Sequence, residues 1–179
     1  QCSSWDQFQN LIDDVKSQID ENKKVIDPFS LFGLIDNPAL HRKATQIRVT
    51  NNFPRNTSLP VIIPYSLHSK IRIGYFSADF REHPLAYLTA ELYEVHDRDH
   101  FEIHAFSYGP DTNDEMNLRI KAGVDHFHNV EVMSHKDIAL LARSLEIDIA
   151  VDLTGLTAKS RTDIFAMSAA PIQLSYIGF

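Results

Sequence analysis

Between an apolar run at residues 71–76 and the proline at position 84 stand four side chains able to do chemistry at short range: Asp79, Arg81, Glu82 and His83. The run Ile71, Ile73, Tyr75, Phe76 suits a buried strand, and Pro84 suits the first position of a helix. A strand-to-helix turn at the carboxyl edge of a parallel sheet is where α/β proteins place their reactive groups. His83 sits on the lip of that turn. Next to a helix N-terminus the partial positive charge disfavours imidazolium, and a neutral imidazole can accept a proton or a hydrogen bond at physiological pH. The same placement also lets His83 act as nothing more than a helix cap. Asp79 reads either as a carboxylate that orders the loop through backbone N–H groups or as a charge in the crevice. A second polar turn, Thr154-Gly155-Leu156-Thr157, follows the apolar run 147–153. Its threonines could bind a ligand or cap the next helix.

Several familiar sites are absent from the sequence. Gly74-Tyr75-Phe76-Ser77 lacks the glycine-rich turn that brings a pyrophosphate to a helix N-terminus, and there is no Walker-type glycine-lysine loop. No HExxH motif occurs, and a single cysteine, Cys2, gives no zinc-knuckle spacing. His126 and His128 fall on the same face of a short strand-like stretch and could in principle share a metal. As a pair without a third ligand they read as surface histidines, and no metal is expected. His41, His68, His96, His100, His104 and His135 are placed in helix, linker or turn contexts and are given no role.

The elements that must position these loops follow from periodicity. Ser3 and Ser4, with Asp6 and Gln7 at capping-box distance, open a helix in which Trp5, Phe8, Leu11, Ile12, Val15 and Ile19 recur at helical spacing to about residue 22. Asp27-Pro28 ends it, an apolar piece spans 29–35, and Asn37-Pro38 starts a second helix over 38–52. Residues 53–64 hold Pro54, Pro60 and Pro64 and read as an extended linker. The domain boundary is expected near Leu67, giving a helical segment and linker over 1–66 and an α/β domain over 67–179.

From residue 70 onward strands and helices alternate. Strands are expected at 71–76, 101–108, 125–130, 147–153 and 171–177. Helices are expected at 84–95 (Leu85, Leu88, Leu92 and Val95 inward), 113–122, from Ser134 (Ile138, Leu141, Ala142 and Leu145 inward) and at 161–167. Five strands separated by four helical patterns imply a parallel sheet with right-handed crossovers. Such sheets most often set the first and fourth strands side by side, where the winding reverses. The turns 77–83 and 154–160 then face one crevice.

Composition narrows the partners. Of 179 residues 44% are hydrophobic and 23% charged, the proportions of an ordinary globular chain, and the net charge is −7 with no cluster of Lys and Arg. Nucleic acid and anionic membranes, which reward a basic patch, are not expected partners. No apolar run nears the roughly 20 residues that span a bilayer, and one cysteine fits a reducing compartment. The chain starts at Gln1 and stops just after a strand-like run at Phe179, so it is expected to be part of something longer.

Three blocks taken together carry a resemblance. SADFREHP followed by an apolar helix, then VDLTGLT, then IFAMSAAPIQLSYIGF is similar to the protein O-linked N-acetylglucosamine (O-GlcNAc) transferases, a family that includes the plant SPINDLY-type proteins. The resemblance covers nearly the whole chain, and the Cys2–Trp5 stretch looks like the segment joining that family's tetratricopeptide repeats to its catalytic region. It implies the N-terminal, Rossmann-like half of a two-domain GT-B fold. It implies an inverting transfer of N-acetylglucosamine from UDP-GlcNAc to Ser or Thr hydroxyls, without a metal, in the cytoplasm. The partners implied are acceptor proteins and a nucleotide sugar held mainly by a C-terminal half. His83 matches the family's HP histidine, assigned as a proton acceptor or active-site residue. Asp79, Pro84 and the loop Gly155, Leu156, Thr157 match positions lining the acceptor and sugar side of the cleft. Two positions depart from the family pattern: Thr154-Gly155-Leu156 stands where asparagine-glycine and then histidine or tyrosine is usual, and Ser160 stands for a glycine. Relatives of plant type can use GDP-fucose, and a non-catalytic Rossmann-like module is the alternative from another class. A phosphoacceptor receiver domain fits less well, because the third strand ends His126-Phe127-His128-Asn129 rather than in an aspartate.

Overall fold

The computed structural model describes residues 7–63, 65–66, 68–157 and 159–178. The expected caps Ser3 and Ser4, together with Trp5 and Pro64, lie outside the described residues, as does Leu67. The chain divides into two compact units, Gln1–Arg55 and Asn56–Phe179.

The first unit holds three helices, α1 (Phe8–Asp20), α2 (Pro28–Phe32) and α3 (Pro38–Asn52). The expected apolar piece at 29–35 is mostly this short α2. Proline at the first position of α2 and α3 follows an Asx cap in each case. Asp27 accepts the Phe29 N–H at 3.0 Å, and Asn37 accepts the Leu40 N–H at 3.1 Å. Ile12, Ile19, Leu31, Ile35, Leu40, Ala44 and Ile47 form the core of this unit.

The second unit is a five-stranded parallel sheet. Its strands are β1 (Ile71–Ser77), β2 (Phe101–Ser107), β3 (His126–Asn129), β4 (Ile149–Asp152) and β5 (Ile172–Ser175), in the order β3-β2-β1-β4-β5. Helices α4 (Pro84–Val95), α5 (Glu115–Gly123), α6 (His135–Ser144) and α7 (Asp163–Ala166) complete the alternation. The side-chain period of two sends Ile73 and Tyr75 to one face and Phe76 to the other. On the first face they meet Ala86, Ala90, Tyr93, Met116 and Ile120 of α4 and α5. On the second, Phe76 and Phe106 stack with ring centroids 4.3 Å apart beneath Ile138, Ala139, Ala142 and Ile164 of α6 and α7. The central strand is therefore apolar on both sides, as a parallel sheet requires. Among the described residues no helix is long and apolar enough to cross a membrane.

Two expectations are corrected. The inward face of α4 is Ala86, Thr89, Ala90 and Tyr93, whereas Leu88 and Val95 are exposed and Leu85 and Leu92 only half-buried. The two alanines let the helix lie close to the sheet, and the tyrosine fills the space beyond them. A stripe chosen by the size of its apolar residues points the wrong way here. The unit boundary also falls after Arg55 rather than near 67. The proline-rich stretch is fastened to the sheet unit: the Asn56 N–H donates to Ala166 O at 2.9 Å, Leu59 joins the Phe76 core, and Arg143 donates to Pro60 O at 2.7 Å.

One glycine is fixed by close approach. A Cβ on Gly109, just after β2, would lie 1.9 Å from the carbonyl oxygen of Ala78 in the turn after β1. Gly109→Ala is expected to destabilise the protein by about 1–3 kcal/mol, the usual cost of overpacking, read as a lowered urea midpoint. An unchanged midpoint would show that the two loops do not lie this close.

Candidate active site

The turn after β1 is built inward from Ser77. The Asp79 N–H donates to the buried Ser77 hydroxyl at 3.0 Å, and Arg81 donates to Asp79 Oδ1 at 2.9 Å. The turn is pinned from outside as well. The buried Asn117 amide donates to Phe80 O at 2.6 Å, and the Glu82 N–H donates to Asp114, the cap of α5, at 3.0 Å. The nearby Arg81 Nε is buried with no hydrogen-bond partner among the described residues.

His83 is the N-cap of α4: its backbone is extended, and ring Nδ1 accepts the Leu85 N–H at 3.2 Å. A ring nitrogen that accepts must carry a lone pair, so the neutral ring holds its proton on Nε2. Nε2 faces Asp79 Oδ2 at 3.9 Å, beyond hydrogen-bond range, and the imidazole is 36% exposed. His83 thus caps its helix and presents an N–H donor to solvent at once. The cap reading of His83 is met by this geometry, in which the accepting nitrogen is the one turned to the helix.

The turn after β4 is held by a residue that the sequence reading passed over. Asp152, the last residue of β4, is almost buried, and its Oδ1 accepts the Thr154 and Gly155 N–H groups at 2.9 and 3.1 Å. Burial raises the pKa of this carboxyl, and the two backbone hydrogen bonds only partly oppose that rise. Gly155 has φ +60°, a left-handed conformation that a side chain would strain. Thr157 turns its hydroxyl back onto Thr154 O at 2.8 Å. The hydroxyl of Thr157 therefore stays within its own turn, the Gly155 carbonyl accepts the Thr162 hydroxyl at 3.4 Å, and Leu156 is half-buried.

Thr154 joins the two turns. Its Oγ1 receives the Tyr108 hydroxyl at 2.7 Å and the Ala78 N–H at 3.4 Å, while the Tyr108 N–H donates to Ser77 O at 3.0 Å. Burial pushes the Tyr108 hydroxyl pKa up, so it stays a donor. The Arg161 guanidinium lies 5.8 Å from the centre of the Tyr108 ring. The turns after β1 and β4 thus meet at the carboxyl edge of the sheet, with the His83–Asp79 pair in the first of them. Of the sequence-derived candidates, Asp79, His83 and Pro84 come together in one turn and Gly155, Leu156 and Thr157 in the other. Tyr108 and Asp152 were missed. A lone carboxylate inside the run Ile149-Ala150-Val151-Asp152-Leu153 was the signal available for the latter.

A family model described as glycosyl transferase family 41 matches residues 51–179, which include both turns and all five strands. The chain belongs to that family. It is 39% identical over 110 residues (62% of this chain, 11% of the relative) to an Arabidopsis thaliana protein named "Probable UDP-N-acetylglucosamine--peptide N-acetylglucosaminyltransferase SEC". It is 33% identical over 113 residues (62% of this chain, 10% of the relative) to the UDP-N-acetylglucosamine–peptide N-acetylglucosaminyltransferase of Caenorhabditis elegans. Among solved structures, a mutant O-GlcNAc transferase of Thermobaculum terrenum superposes with a TM-score of 0.66 at 27% identity, covering 92% of this chain and 30% of that one. The chain thus spans about a tenth of the length of these curated relatives.

The raised pKa of Asp152 sets a pH dependence. The native state keeps this proton at pH values where the unfolded chain has lost it. Its stabilising contribution is therefore full below the ordinary carboxylate value of 3.8 and is lost as pH rises through the folded pKa above it. Asp152→Asn, which retains an oxygen for both N–H groups, is expected to flatten that part of the stability profile. Urea unfolding of the two proteins across the acid range checks this; parallel profiles would show that Asp152 titrates normally.

Proposed function

We propose that this chain is the N-terminal half of the catalytic region of a protein O-GlcNAc transferase, which moves N-acetylglucosamine from UDP-GlcNAc to Ser or Thr hydroxyls of acceptor proteins. One coincidence carries the reading: the family match over 51–179 coincides with the turn that presents His83 beside Asp79 at the end of β1. In the proposed enzyme this turn and the Asp152–Thr157 turn form one wall of the cleft. The nucleotide is held chiefly by a second Rossmann-like half, whose donors stabilise the leaving diphosphate without a metal. Tetratricopeptide repeats ahead of residue 1 and a cytoplasmic location complete the proposal. The resemblance of the Cys2–Trp5 stretch to the family's joining segment supports the first, and a single cysteine suits the second.

A hydroxyl is a poor nucleophile, so its proton must leave as it attacks the anomeric carbon. With Nδ1 engaged by Leu85, the proton of His83 sits on Nε2, and the ring meets a substrate as a donor. We assign it the task of holding an acceptor or sugar oxygen in line for attack, while the departing diphosphate, which gains negative charge as its bond to the anomeric carbon breaks, takes the hydroxyl proton. Serving as the base would require the ring to give up its cap bond and move its proton to Nδ1. Orientation of this kind is where an enclosed cleft gains most of its rate.

The test separates the cap from the chemistry. In the full-length protein, His83→Ala is expected to lose about 1 kcal/mol with the cap, whereas His83→Asn keeps a capping oxygen and near-native stability. Both variants are expected to lose at least about 100-fold in transfer, measured with UDP-GlcNAc and, in parallel, GDP-fucose. Wild-type transfer by folded His83→Asn would remove His83 from the mechanism. Transfer from GDP-fucose alone would replace the proposed sugar.

A further inference from the structure

Away from the two turns, toward the amino ends of β2 and β3, the sheet carries a second polar cluster. Alternation puts Glu102, His104 and Phe106 on one face of β2, and the register sets His104 opposite His126 and Phe106 opposite His128. His104, given no role in the sequence reading, is buried within β2, and it supplies the partner that the His126–His128 pair lacked. Two imidazoles aim at one carboxylate oxygen: His104 Nε2 lies 3.2 Å and His126 Nε2 2.9 Å from Glu102 Oε1. One ligand atom from each of the three residues lies within 4.8 Å of the other two. In a tetrahedral zinc site, with bonds near 2.0–2.1 Å, ligand atoms stand about 3.3 Å apart.

The surrounding contacts are those of ligands held from behind. His104 Nδ1 is 3.1 Å from His128 Nε2, which leaves Nε2 of His104 for the cluster. The two rings stack at 5.3 Å, and His128 packs on Phe106 at 4.8 Å, so neither ring turns freely. The Arg72 guanidinium donates to the other oxygen of Glu102 at 3.2 Å. Outer partners of this kind fix ring orientation and carboxylate direction in metal sites.

We propose that Glu102, His104 and His126 bind one divalent transition-metal ion of the zinc class, with water in the fourth position. Two imidazoles and one carboxylate suit zinc, cobalt or nickel, whereas magnesium and calcium require a mostly oxygen shell. His126 is exposed, so the open position faces solvent. The ion ties the four-residue edge strand β3 to β2, and it serves no step of the sugar transfer proposed above.

The test is independent of transfer activity. Chelator-treated protein titrated with Zn²⁺ by calorimetry is expected to bind a single equivalent and to gain thermal stability as zinc rises. Co²⁺, as a spectroscopic probe, is expected to give the intense visible bands of a four-coordinate site, and Mg²⁺ to give no heat. His126→Gln, at an exposed position with little bearing on folding, and Glu102→Gln are each expected to weaken binding by more than about tenfold. His128→Gln, which removes only an outer partner, is expected to weaken it by about 10–100-fold. His100→Gln, on the turn before β2, is expected to change nothing. Unaltered affinity in His126→Gln, or several weak equivalents with a six-coordinate cobalt spectrum, would reduce the cluster to a hydrogen-bonded carboxylate among surface histidines.

Discussion

The parallel pairing of β1 with β4 is the constraint on which the rest of this unit depends. The sheet is wound outward from these two neighbours, with β2 and β3 on one side and β5 on the other. Where the winding direction reverses, successive crossovers leave to opposite sides and the carboxyl edge stays open. The ladder extends past the regular strands: the Leu153 N–H donates to Phe76 O, and the Ala78 N–H reaches Thr154 Oγ1. Tyr108 locks this junction from β2 by donating its backbone N–H to Ser77 O and its hydroxyl to Thr154. Three strands thus fix the directions in which two short polar turns leave the sheet.

In the proposed enzyme His83 holds two tasks at once. A helix cap needs an acceptor at the N-terminus, and a cleft needs a donor or base facing outward. Imidazole is the side chain that offers both, one at each ring nitrogen. The cap fixes the tautomer, and the tautomer in turn decides what the exposed nitrogen can do to a substrate. Helix geometry and site chemistry are therefore coupled through one proton. Asp79 limits the ring on its other side, and Arg81 and Ser77 hold Asp79.

Much of this was legible in the sequence, and the parts that were not share a cause. The helices 38–52 and 84–95 were read to their observed ends, because Asn37-Pro38 and His83-Pro84 signal the start through backbone chemistry that acts locally. The neighbouring positions of the first and fourth strands followed from the alternation of elements. What failed depended on distance. The buried face of α4 is set by how closely the sheet approaches, so its alanines won over its leucines. The unit boundary is set by the Asn56 N–H donating to Ala166 O and by Arg143 donating to Pro60 O, pairs more than 80 positions apart in the chain. Tyr108 and Asp152 act across strands, and His104 looked idle until register placed it opposite His126.

The same sheet accommodates polar groups at both ends, by one physical rule. Helices α4 to α7 cover its middle with apolar side chains, and a polar group there would lose water without return. Toward the strand ends a carboxylate can enter if donors replace part of the water it gives up. Asp152 does so with two backbone N–H groups at the carboxyl end. Glu102 does so with Arg72, His104 and His126 at the other. The difference lies in the donors. Backbone N–H groups are fixed and can only tighten a turn, whereas an imidazole nitrogen freed of its proton can bind a cation in its place. The arrangement of partners therefore makes one carboxylate a structural element of its turn and gives the other the surroundings on which the proposed metal site rests.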